Sequence, residues 1–483
     1  MTASAGRLFP LTLLLVAGCG FSNALYNAHL RLGDADRAAA RGDTVAARVA
    51  YLDAIEKAAK RYREDPAARG AGEALYLIGR GRQGLHEFAA AAAAHRRVLE
   101  VSREAALRAR AHAALGGALV DLGDAEAARP HLDSAILSLD GEHAARARLW
   151  RGRARLAAGD QDGWTDLAAA MEAGGDVAPA ARATAARWAV AMADSARTKV
   201  ALHGLFGDER GARYASDVAV AALAAADAWG AAAALEMLAG AADARWAAPV
   251  RDSVLLVRAR LAARIDTRAG IADAVALADR AVPAIAAAAR LDAARWKLRT
   301  MEQPDRLEPV RALLLLIAGS PDADALIASI DAIESLREGG RRGRQPLGLF
   351  AAAEIARDEL ASPGLAHWLF REYAALDSSA VWAPKALLAA ALIRPLPADT
   401  LARIFDAFSG NPYVAAWRGE SNDTAAFDNA ERRLARELAA LRSNVAAQPA
   451  ADTVSGRDSA AAPIGASPVP SGRIDHSTGR RSP

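Results

Sequence analysis

Nine histidines, at positions 29, 86, 95, 112, 131, 143, 203, 367 and 476, are the first candidates for chemistry in this 483-residue chain. No two stand four apart, the spacing that puts two imidazoles on one helix face for a metal ion, so they read as structural or solvated side chains. Cys19 is the single cysteine, which excludes an intrachain disulfide and a thiolate metal cluster. There is no glycine-rich phosphate loop ending in lysine, no Gly-Xaa-Ser-Xaa-Gly turn and no Ser-Xaa-Xaa-Lys to activate a serine. Sixty basic against 57 acidic residues leave a formal charge of +3, too even a balance for a nucleic-acid partner. These residues predict no cofactor, no metal and no small-molecule substrate, and the chain reads as one that binds.

The position of the cysteine says more than its number. Arg7 precedes the apolar run Leu8 to Val16, which is too short to span a bilayer and has the layout of a secretory signal. The following Val16-Ala17-Gly18-Cys19 resembles the lipobox of bacterial lipoproteins, with small residues just before the cysteine. The resemblance implies cleavage after Gly18 and lipidation of Cys19. No other apolar run reaches membrane-spanning length, so the acyl chains are the expected membrane attachment. Gly20 stands where an aspartate would signal inner-membrane retention, and the expected place is the periplasmic side of the outer membrane.

The bulk of the chain supplies the frame. Apolar residues make up 53% but aromatics only 5%, because alanine dominates. Alanine has the highest helix propensity yet buries little area, so each helix needs many neighbours to accumulate stability. Strand signals are nearly absent, and an all-α stack of repeated units is expected. The clearest unit runs from Arg108 to Leu139. Its first helix carries Gly116 and Gly117 on the contact face, Leu122-Gly123-Asp124 turns the chain, and Ala128, Leu132 and Ala135 form one face of the second. This unit resembles a tetratricopeptide repeat, which implies a right-handed α-solenoid of helical hairpins.

Similar hairpins are read at 25–66, turning at Gly42-Asp43, at 70–103, turning near Gln83 to His86, and at 142–174, turning at Gly159-Asp160. Gly79, Gly116 and Gly152 are their small contact residues, 37 and then 36 residues apart. Trp164 departs from the pattern, falling where the second helix of the last unit needs a small residue. The predicted organisation is a signal peptide over 1–18, a lipidated tether over 19–24, an N-terminal repeat array over 25–175 and a degenerate helical-repeat region over 176–338. A glycine- and arginine-rich linker over 339–346, C-terminal hairpins with a capping helix over 347–443 and a disordered tail over 444–483 follow. Ser362-Pro363-Gly364, with Ala366, Phe370 and Tyr373 facing inward, is similar to the tandem repeats of bacterial envelope proteins of the barrel-assembly lipoprotein and cell-division coordinator type. Those carry Tyr-Pro-Xaa-Ser where Leu376-Asp377-Ser378-Ser379 stands here.

In such repeats the first helix of each hairpin lines an inner groove. Helical phase then places Tyr76, Arg80, Arg110, Arg146 and Arg153 on that surface, with Asp36, Glu73 and Asp121 among them. Arginine forks suit carboxylates, and a groove suits an extended or helical peptide; the other reading of these arginines is a solvated surface. Gly419-Glu420-Ser421-Asn422 resembles the Glu-Ser of soluble lytic transglycosylases, but fewer than 65 residues remain for the catalytic domain that family requires. The resulting expectation is a lipid-anchored, extracytoplasmic, non-catalytic scaffold that holds envelope proteins or peptides in its groove. Its alternatives are an accessory subunit of outer-membrane protein assembly and, in another class, a peptidoglycan hydrolase or its regulator.

Overall fold

The structure is a computed structural model. It describes the backbone of residues 9–342, 345–378, 381–420 and 424–446, and side chains within these from 24 to 443 apart from 424. The described residues are helical throughout and contain no strand. The chain divides into two compact units, Met1–Ile327 and Ala328–Pro483.

The first unit begins with α1 (Phe9–Ala40), α2 (Thr44–Glu64), α3 (Ala71–Gly84), α4 (Phe88–Val101), α5 (Ala105–Asp121), α6 (Ala125–Ser138), α7 (Gly141–Ala157), α8 (Gly163–Glu172), α9 (Val177–Ala191) and α10 (Ser195–Phe206). It continues through α11 (Ala215–Trp229), α12 (Ala231–Met237), α13 (Ala248–Ile265), α14 (Thr267–Ala278), α15 (Pro283–Arg299), α16 (Leu307–Leu315) and the first residues of α17 (Pro321–Arg341). Each helix from α1 to α10 packs on the next, and each odd helix from α1 to α13 also touches the following odd helix. The odd helices thus form one continuous row, with even helices laid against it.

One turn makes the first five hairpins. Residues 42, 86, 123, 159 and 193 adopt left-handed φ values of 77°, 61°, 84°, 79° and 57°. The residues after them, Asp43, Glu87, Asp124, Asp160 and Asp194, donate their N–H groups to carbonyls five positions back, at Ala38, Arg82, Leu119, Arg155 and Ala189. This is the Schellman closure of a helix C-terminus. Asp43, Asp124 and Asp194 then cap the next helix by accepting from Ala46, Ala127 and Arg197 N–H groups at 2.9–3.1 Å. Two of the five left-handed positions hold His86 and Ala193 rather than glycine, which is why a search for Gly-Asp finds three of the five turns. The fifth lies inside the region expected to be degenerate.

Glycines set the helix spacing where the sequence predicts close approach. A Cβ on Gly116 would lie 2.5 Å from Leu132 Cγ on α6, and one on Gly117 would lie 2.5 Å from the Trp150 ring on α7. In the fourth hairpin the small residue is Gly163, one position before the one expected. A Cβ there would sit 2.7 Å from the Gly152 carbonyl, and Trp164 turns aside, its indole under the Arg197 guanidinium at 4.8 Å. Buried Asp166 on α8 accepts from Arg151 at 2.9 and 2.6 Å and from Arg155 at 2.8 Å, while Arg151 also reaches Asp133 on α6 at 2.8 Å. A buried carboxylate so paired ties three helices together, and removing one partner would strand its charge. Trp246 wedges by donating its indole N–H to the Leu205 and Asp208 carbonyls, both at 3.1 Å.

The second unit takes the rest of α17, then α18 (Leu347–Asp358), α19 (Pro363–Leu376), α20 (Ala383–Ile393), α21 (Ala398–Ala407), α22 (Pro412–Arg418) and α23 (Thr424–Ala446). α18, α19 and α20 pack in series, and α23 returns onto α18. Phe350, Phe370 and Tyr373 form its centre, with ring centroids 5.1 and 5.6 Å apart, and Ala366 is buried beside them. The linker expected over 339–346 is corrected at its start. α17 continues through Gly339-Gly340 to Arg341 because Gly340 is buried against Leu349 and Arg341 bonds Glu372 at 2.5 Å. Residues 343 and 344 lie outside the described residues, as does the tail from 447 onward. At the other end, α1 runs unbroken through positions 19–24, the stretch expected to be a lipidated tether. The side chain of Cys19 and residues 1–8 lie outside the description.

Candidate functional site

Three odd helices carry the groove residues at helical spacing. Tyr76 and Arg80 are one turn apart on α3, Arg110 stands on α5, and Arg146, Trp150 and Arg153 follow one another along α7. Because Gly117 has no side chain, the Trp150 indole reaches across to α5. Around it open two recesses. The first, a small recess of about 30 Å³, is lined by Tyr76, Arg80, Arg110 and Arg146 together with Ala113, Ala114, Leu139, His143 and Trp150. The second, about 370 Å³, shares Arg80, Arg146 and Trp150 and adds Asp36, Tyr51, Gln83, Phe88 and Asp121. Four of the five groove residues read from the sequence therefore meet in one place. Arg153 stands back from both recesses and holds Asp121 at 2.8 Å.

The arginines are not bare. Arg80 donates to Asp36 at 3.3 Å, Arg110 to Glu73 at 3.3 Å and Arg146 to Glu142 at 2.8 Å. Arg110 also lies 5.1 Å from the centre of the Tyr76 ring, a cation–π distance. Glu73 is further bonded by His29 at 3.0 Å. Burial acts to raise the Glu73 pKa, but the bonds and charges of His29 and Arg110 outweigh it and hold the carboxyl below its usual range. Burial likewise acts to lower Arg80, and Tyr76 and Asp36 reverse it, so its proton is held more firmly than usual. The Tyr51 hydroxyl donates to Asp36 at 2.8 Å, and burial together with that carboxylate raises its pKa.

Behind Arg80 lies His95, fully buried. Burial first and the Arg80 charge second push its pKa down to about 3. Its Nε2 is 3.3 Å from Gln83 Oε1, and Gln83 donates its amide to the Ala114 carbonyl at 3.2 Å. Gln83 therefore presents its oxygen to His95, so Nε2 carries the proton; Nδ1 is buried without a partner.

The sequence reading missed Trp150, His143 and the second recess, and one histidine pair. His112 on α5 and His131 on α6 bring their Nδ1 atoms to 3.0 Å, with ring centroids 5.2 Å apart. The rings point at each other almost in line, so one nitrogen donates to the other and the lone pairs do not converge on a third atom. The signal was present in the helix register, since Gly116 against Ala128 in an antiparallel pair places position 112 beside 131–132. Burial lowers the pKa of both histidines, followed by His131 and Arg108 for His112 and by Arg96 for His131. Glu420 is exposed, 3.8 Å from Arg418, and Ser421 and Asn422 lie outside the described residues. Among the described residues no three His, Cys, Asp or Glu side chains are grouped to hold a metal ion, and no helix is long and apolar enough to cross a membrane.

No protein-family model matches the chain, and a search of curated proteins finds no match to it.

Proposed function

We propose that this chain is a lipid-anchored scaffold of the bacterial cell envelope: a right-handed α-solenoid of tetratricopeptide-like hairpins that holds a segment of another envelope protein along its row of odd helices. The observation that carries this reading is the convergence of Tyr76, Arg80, Arg110 and Arg146, from three successive odd helices, on one recess beside Trp150. Five copies of one hairpin turn support the repeat character, and the lipobox-like Val16-Ala17-Gly18-Cys19 supports the anchor. Each guanidinium has five N–H donors and spends only some of them on its own carboxylate, so donors remain for an incoming chain.

The test compares two triple variants as baits for solubilised envelope proteins. Replacing Arg80, Arg110 and Arg146 with alanine should weaken capture at least ~10-fold, the loss of roughly one charge-assisted bond. Replacing exposed Arg96, Arg97 and Arg129 on α4 and α6 should change it little. Far-ultraviolet circular dichroism should show the same helicity in both. Equal capture by the two variants would remove the groove from the proposal.

A further inference from the structure

The two recesses differ in charge, and the difference specifies what the bound segment carries; this inference rests on the groove reading above. Three guanidinium groups and no carboxylate line the first recess. Their counter-charges are not part of its lining: Glu73 pairs with Arg110, Glu142 pairs with Arg146, and Asp36, paired with Arg80, lines the second recess instead. Ala113, Ala114 and Leu139 supply apolar surface to the first recess. Such a site offers unspent N–H donors and no acceptor charge, which suits a carboxylate on a short stem.

The second recess is the larger, and although Arg80 and Arg146 line it too, it alone of the two offers carboxylate oxygens. Asp36 and Asp121 line it together with the rings of Tyr51, Phe88 and Trp150. A carboxylate has about four lone-pair positions; the bonds from Tyr51 and Arg80 to Asp36 and from Arg153 to Asp121 leave some of them open. A basic side chain can lay its methylene stem on the rings and place its charged end at these oxygens. The two recesses share Arg80, Arg146 and Trp150 as a single wall, so neighbouring side chains on one face of a ligand would fill them. In an extended chain those are residues two apart. We propose that the groove selects an extended segment with an acidic and a basic residue two positions apart, the acid in the Arg110 recess and the base in the Asp121 recess.

The probes are four pools of fluorescent, otherwise randomised synthetic peptides with Glu-Xaa-Lys, Lys-Xaa-Glu, Glu-Xaa-Glu or Lys-Xaa-Lys at the centre, read by polarisation on the full chain. One of the two mixed-charge pools should bind at least ~10-fold tighter than both like-charge pools, the preferred one reporting the direction of the chain. Asp121→Asn, which keeps the side chain's size, should narrow the gap to the Glu-Xaa-Glu pool. Arg110→Gln should narrow the gap to the Lys-Xaa-Lys pool. Equal binding of all four pools, abolished in the Arg80, Arg110 and Arg146 triple variant, would overturn the charge pattern and leave the groove reading standing. Binding of none would overturn both, and binding of all pools unchanged by the triple variant would place the peptides elsewhere and overturn the pattern.

Discussion

Acidification should loosen the α3–α4 hairpin, and His95 sets by how much. Its ring is fully buried against Gly79 and its pKa is about 3 in the folded chain, against an ordinary 6.5. The sign follows from proton counting. Above about pH 6.5 neither the folded nor the open hairpin binds a proton there, and the stability is intact. Between about pH 6.5 and about pH 3 the open form is protonated and the folded form is not, so stability falls by about 1.36 kcal/mol per pH unit and levels off below. At about pH 5 the loss is about 2 kcal/mol, a figure set by the unfolded histidine as long as the folded pKa is well below 5. Hydrogen exchange of the α3 and α4 amides at about pH 7 and about pH 5, corrected for intrinsic rates, reads the opening free energy of this segment. The His95→Leu variant removes the proton site and supplies the baseline for every other titration. The drop should appear in the parent chain and vanish in the variant; an equal drop in both would refute the assignment of the pH sensitivity to His95.

Two further outcomes follow from other parts of the chain. Gly116→Leu forces a branched side chain into a place where even a Cβ would be 2.5 Å from Leu132; it should cost about 1–3 kcal/mol and lower the thermal midpoint, with Gly116→Ala intermediate, and an unchanged melt would mean that α5 and α6 do not meet there. Cys19→Ser should abolish incorporation of a fatty-acid analogue in a bacterial host, and label retained by the variant would dismiss the lipobox reading.

Much of the helical frame is legible in the sequence because its signals are local. Gly42-Asp43, Gly123-Asp124 and Gly159-Asp160 announce turns through a residue that tolerates positive φ followed by an aspartate, which in the first two caps the next helix. The turn at His86 is legible only by its place between two helical runs, and Ala193 hides one more, since neither side chain advertises a positive φ. Gly163 shows the limit of a fixed repeat template: it takes the close-contact role one position early, and Trp164 packs at the edge of the core beneath Arg197. The end of α17 shows the limit of local propensity, because burial of Gly340 keeps helical a stretch that two adjacent glycines would open in isolation. In the candidate site, helical phase brings Tyr76, Arg80, Arg110 and Arg146 to one face. Phase alone says nothing of their partners. The pairing of Arg80 with Asp36 joins residues 44 apart, and that contact exists only once three helices have docked.

The reach of Trp150 across Gly117 has a mechanical consequence. A wall that stands on one helix and closes against the next couples the recess to the joint between hairpins, because α3, α5 and α7 all contribute side chains to its lining. Filling it stiffens that joint, and twisting the joint changes what can be filled. Helices that each contact chiefly their neighbours bend by small rotations summed along the row, so tension applied at one end of the array would be felt in the recess as a change of grip.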